Sequence, residues 1–186
     1  MKGGPSLEKP TWVTVTGILG IVFAVFGVLG AAQMLFLPKI GEMQKQSMGT
    51  YTGKFQQEIQ KESDQRAASG RPPLDVKRIF QAVAHLWDVP DWFKPFTAVS
   101  ALVGLMVSAF YLYASLKLLG CNYRGLSLFK WALGVSAVFH ALKGVVAVAS
   151  LTFLGIPLVI GSVFWLVVNL GLYLAVRMGD KKAFKA

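Results

Sequence analysis

Hydrophobic residues in this chain fall into long unbroken blocks, and polar residues collect between them. From Val13 to Leu37 no Asp, Glu, Lys or Arg occurs over 25 residues. A second apolar block covers residues 96–119. From Trp131 to Val176 the only formal charge in 46 residues is Lys143. About 20 apolar residues cross a hydrocarbon core about 30 Å thick as a helix. The first two blocks therefore predict one transmembrane helix each, at residues 12–37 and 96–119. The third block is too long for one span and right for two. Gly155 and Pro157 interrupt it, and proline suits the first turn of a new helix. Spans are thus predicted at 128–149 and 157–177, joined by a short loop at 150–156.

The segment between the first two spans, residues 38–95, has a different pattern. Pro38 and Lys39 mark the end of the first span. Over residues 40–65, Met48, Tyr51, Phe55 and Ile59 recur at helical spacing among Gln, Lys and Glu. This predicts an amphipathic helix, either separate or continuing the first span. Ser-Gly and Pro-Pro within residues 67–73 break the pattern. Asp75 then opens a second amphipathic stretch, residues 75–88, with Val76, Ile79, Phe80, Val83 and Trp87 on one face. It leads into Trp92, Phe93 and Phe96. Tryptophan here fits the headgroup belt, so this stretch is expected to lie on the outer leaflet. The alternative is that it packs on the first insert helix.

Composition agrees with a membrane protein. Hydrophobic residues make up 54% of the 186-residue chain and charged residues 15%, with mean hydropathy +0.54. Soluble domains carry about 25% charged residues, so an ordinary soluble enzyme is excluded, as is disorder. The net charge of +10 is carried on span flanks, not on a soluble basic surface, and predicts no nucleic-acid partner. Lys2, Lys9, Lys117, Arg124, Lys130, Arg177, Lys181, Lys182 and Lys185 all fall on one side of a four-span chain. By the positive-inside rule that side is cytoplasmic. Residues 1–11, the loop 120–127 and the tail 178–186 then face inward, and the insert faces out. The first span is too long for a cleaved signal sequence and is expected to remain as an anchor. An inner or plasma membrane of bacterial type is the expected location.

Lipid is as apolar as leucine, so small and polar residues mark the faces where membrane helices meet. In the first span Gly17, Gly20, Ala24, Gly27 and Ala31 form a narrow packing seam, able to meet another helix of this chain or of a second subunit. In the second, Ser100, Gly104, Ser108, Tyr111 and Ser115 share one face. Ser136, His140, Lys143, Ala147 and Ser150 do so in the third, and Ser162, Trp165, Asn169 and Tyr173 in the fourth. The fold expected is an all-α antiparallel bundle of four transmembrane helices with an amphipathic helical insert. Trp87, Trp92 and Trp131 are the expected interfacial anchors.

His140 and Lys143 are the residues best placed for chemistry. Counted from Ala149, they lie about 14 Å and about 9 Å deep, one turn apart on one face. A lysine near the bilayer centre costs about 2.5–3.5 kcal/mol on insertion scales, and no span holds an Asp or Glu. A compensating group must come from a ligand, a lipid phosphate, another chain or neutral acceptors. Otherwise Lys143 snorkels to the outer headgroups. Asn169 and Tyr173 complete the candidate ligand or proton site if the last two spans pair. Histidine can exchange protons near neutral pH. The single Cys121 excludes an intramolecular disulfide and dithiol redox chemistry. No catalytic grouping, metal-spaced ligand set or phosphate loop occurs, and no cofactor is predicted; haem or quinone at His140 is the weaker option. Two functions follow as expectations. One is a non-catalytic accessory or scaffolding subunit contacting another membrane protein or a second copy. The other is a small-ligand or proton-linked transporter or binding protein using His140 and Lys143.

Overall fold

The structure, a computed structural model, describes residues 10–72, 75, 78, 90–121, 123–150, 152–179 and 184. Four long helices hold most of these: α1 (Thr11–Ala68), α2 (Phe93–Leu119), α3 (Tyr123–Ala149) and α4 (Gly155–Met178). Each has an apolar run long enough to cross a membrane, and in α1 that run is Thr11–Gln44. The insert residues Val76, Ile79, Phe80, Val83, His85 and Trp87 lie outside the described residues, as do the side chains of Met48, Tyr51 and Phe55.

Pro38 does not end the first helix. α1 runs through it for 58 residues, about 87 Å at 1.5 Å per residue. Proline removes one N–H from the ladder and crowds the carbonyl four residues earlier. Residues 40–65 are rich in Gln, Glu, Lys and Met, which favour helix, so the helix resumes beyond the defect.

Burial is inverted relative to a water-soluble bundle. On α2, Ser115 is 0% exposed and Met106 is 73% exposed. Thr97, Ser100, Gly104, Ser108 and Tyr111 turn inward with Ser115, while Val99, Leu102 and Leu116 turn outward. That arrangement is stable only where the outer medium is as apolar as the side chains facing it.

The α1 seam faces α2. A Cβ on Gly17 would meet Leu119, one on Gly20 would meet Ser115, and one on Gly27 would meet Ser108. A Cβ on Gly104 would lie 3.3 Å from Ala31. Numbers rise along α1 as they fall along α2, so the two helices run in opposite directions. The series ends with Lys94 Nζ donating to Glu42 Oε1 at 2.6 Å. Ser108 and Ser115 donate to the carbonyls of Gly104 and Tyr111 at 2.8 and 2.7 Å. Each hydroxyl is satisfied within its own helix, so it can sit in a glycine seam without a partner across it.

Helices α3 and α4 pair in the same sense. Gly155 approaches Ala147, Ser162 approaches Gly144, and Asn169 reaches Ser136. Pro157 sits in the first turn of α4, where a missing N–H costs no helical bond. Two apolar clusters close the ends of the bundle. One holds Val13, Leu118, Phe129, Leu133 and Val176, with Phe184 against it; the Phe184 ring lies 5.8 Å from Trp12. The other gathers Met34, Leu37, Phe93, Ala147, Leu154 and Leu158.

Candidate functional site

Between the two apolar clusters the polar faces converge on a cavity of about 40 Å³. α1 supplies small residues, Gly27, Gly30 and Ala31, with Phe23 and Met34 at its edges. α2 supplies Ser100, Ser108 and Tyr111; α3 supplies Ser136, Phe139, His140 and Lys143; α4 supplies Trp165. Every helix contributes. The glycines of α1 make the space, because a larger side chain there would fill it.

Ring packing holds the imidazole in place. His140 stacks on Trp165 with centroids 5.1 Å apart and planes 8° from parallel. Phe139 meets His140 edge-on at 5.2 Å, and Phe23 of α1 meets Trp165 edge-on at 5.7 Å. The Phe23–Trp165 contact links α1 to α4, which touch far less than α1 and α2 do. Lys143 Nζ lies 5.9 Å from the centre of the Phe139 ring, at the outer limit of a cation–π contact.

Hydrogen bonding here is incomplete. The Tyr111 hydroxyl and His140 Nδ1 are buried without a hydrogen-bond partner, as are Ser162 Oγ and Asn169 Oδ1. Tyr111 and His140 are 3% and 7% exposed, so bulk water does not satisfy them. Asn169 Nδ2 donates to Ser136 Oγ at 3.0 Å, leaving the Ser136 proton free to point elsewhere. No Asp or Glu lines the cavity.

Of the residues singled out from the sequence, His140 and Lys143 line the cavity together. Asn169 stands one shell back and orients Ser136. Tyr173 is 42% exposed and does not join them. Trp92, 44% exposed, clusters with Phe93 and Phe96 near the start of α2. Trp131 is 69% exposed on α3; Trp87 lies outside the described residues. Tyr111 and Trp165 belonged to the polar stripes of α2 and α4, but nothing in the sequence marked them as walls of one site. Their meeting depends on how far each helix is rotated, which spacing alone does not give.

A cavity of this size has room for a water-sized or larger occupant. Four membrane-length helices with inward polar faces define a polytopic helical membrane protein. Comparison with protein-family models, curated proteins and solved structures finds no match.

Proposed function

We propose that this membrane protein binds a small polar solute inside its helical bundle, at a site built on His140 and Lys143. In this reading the four spans form an antiparallel bundle with both termini cytoplasmic and residues 38–95 outside. The observation that carries it is the pair of unpartnered buried groups, Tyr111 hydroxyl and His140 Nδ1, beside Lys143 on one cavity. A buried polar group left unpaired costs about 1–3 kcal/mol. Two such groups and a cation around one space are costs that a bound polar occupant offsets. Sealed packing would favour apolar residues at these positions.

Thiol accessibility tests the reading. Lys143→Cys is made in a Cys121→Ser background, reconstituted in lipid nanodiscs, and treated with a water-soluble methanethiosulfonate. Val138→Cys, on the lipid side of α3, is the control. Reaction at position 143 with none at 138 is expected. Absence of reaction at both positions overturns the reading, because a solute site must be reachable from water.

The length of α1 supports a second reading, an accessory or scaffolding subunit. Beyond Gln44 the helix continues to Ala68 through polar sequence, with Gln56, Gln57 and Glu58 exposed. An extended arm of that kind suits contact with another membrane protein or a second copy. Mild detergent extraction followed by affinity capture should retain a stoichiometric partner, lost when residues 45–68 are removed. A monomer without a partner defeats this reading.

A further inference from the structure

The chemistry of the cavity lining points to one class of ligand. We infer that the cavity binds a small monovalent anion such as a halide, held by Lys143 with Tyr111, His140 and Ser136. This deepens the proposed solute site and rests on it.

Lys143, Tyr111, His140 and Ser136 can each donate into the cavity, while Ser108, whose proton goes to the Gly104 carbonyl, offers only lone pairs. Lys143 carries a formal positive charge and no acceptor. The Tyr111 hydroxyl is buried and unpartnered. His140 Nδ1 is likewise unpartnered and donates in the tautomer that protonates it. Ser136 already accepts from Asn169, so its own proton is available. No carboxylate lines the space, so a bound cation would face the ammonium unopposed. Water would satisfy the hydroxyls but leave the ammonium without a counter-charge in a medium where isolated charge is costly. A monovalent anion meets both demands at once. A bare halide ion fits a cavity of about 40 Å³ and accepts hydrogen bonds from every direction, so all of these donors can reach it at once.

Trp165, stacked on His140, is a built-in reporter because iodide quenches indole fluorescence on contact. Iodide is titrated into the full chain in zwitterionic nanodiscs, with gluconate keeping ionic strength constant. A saturable quenching component is expected, displaced by chloride and absent in Trp165→Phe. Lys143→Met should weaken it at least about tenfold. Tyr111→Phe, which removes only the hydroxyl, should weaken it about threefold to tenfold. Purely linear quenching, equal in the native chain and Lys143→Met, overturns the inference and leaves water as the occupant. Displacement by phosphatidylglycerol but not by chloride also overturns it, in favour of a headgroup. If position 143 reacts with thiol reagent yet no saturable quenching appears, the solute site stands and only its ligand class is wrong. If neither occurs, both fail.

Discussion

The imidazole of His140 lies flat on the indole of Trp165, 5.1 Å between centroids and 8° from parallel. It joins α3 to α4 at the wall of the cavity, and Phe23 braces the same indole from α1. Stacked aromatic pairs are worth about 0.5–1.5 kcal/mol beyond the area they bury. Trp165→Leu should therefore lower stability by about 1–3 kcal/mol, measured by unfolding in mixed micelles. His140→Phe keeps the stack and deletes the unpartnered nitrogen, so it should leave stability unchanged or higher. Equal losses from both substitutions would show that the stack is not what holds this wall.

The glycine seam makes a sharper prediction. A Cβ on Gly20 would run into Ser115, whereas one on Gly30 would meet nothing within 4 Å. Overpacking a tight contact costs about 1–3 kcal/mol. Gly20→Val should destabilise by that amount, and Gly30→Ala should be neutral or slightly stabilising. Adding Ser115→Gly to Gly20→Val should recover part of the loss, since neighbours in contact are not additive. Without such rescue, α1 and α2 are not in this register.

Much of this architecture was legible in the sequence. The four apolar blocks located the spans, and Gly20, Gly27, Ser108 and Ser115 could be assigned to packing faces because small residues have no other reason to recur every third or fourth place. Pro38 left open whether the insert helix was separate or a continuation of the first span; α1 runs through it, because local helix propensity around a proline can outweigh one missing bond. Tyr173 misled for a geometric reason: it shares the stripe of Asn169 but stands one turn further along α4, and its face has turned outward. The conjunction of Tyr111 with His140 was not legible at all, being set by the rotation of α2 against α3.

The turn between α2 and α3 contains the only positive φ at a non-glycine residue among those described, Cys121 at 52°. Its N–H donates to the Leu118 carbonyl at 2.9 Å, so the conformation closes the helix end. A left-handed conformation costs a side-chain-bearing residue about 1–2 kcal/mol, part of which is cancelled by the greater unfolded freedom of glycine. Cys121→Gly should stabilise by about 0.5–1 kcal/mol in micelle unfolding. Gly125→Ala should do the reverse, because its Cβ would strike the Lys117 carbonyl. A neutral Cys121→Gly would mean that the turn is not built this way.

Asn169 and Ser136 form an interhelical hydrogen bond at 3.0 Å in the bundle interior. Such bonds contribute about 0.6 kcal/mol on average in membrane proteins, rarely more than about 1.7. A double-mutant cycle of Asn169→Ala and Ser136→Ala should give a coupling energy in that range. A coupling indistinguishable from zero would remove Asn169 from its role in orienting Ser136, and would weaken the case for a Ser136 proton aimed at the cavity.

At the junction of α1 with α2, Gly20 and Gly27 seat the short side chains of Ser115 and Ser108 directly, with few rotatable groups between. There is little side-chain entropy to regain by parting, and few alternative rotamers through which the contact could loosen gradually. Compliance must then reside on the opposite flank, where α1 reaches α4 mainly through aromatic rings such as Phe23 and Trp165. Rings can swing on one or two bonds. The bundle thus has a stiff spine and a soft flank, and the soft flank borders the cavity.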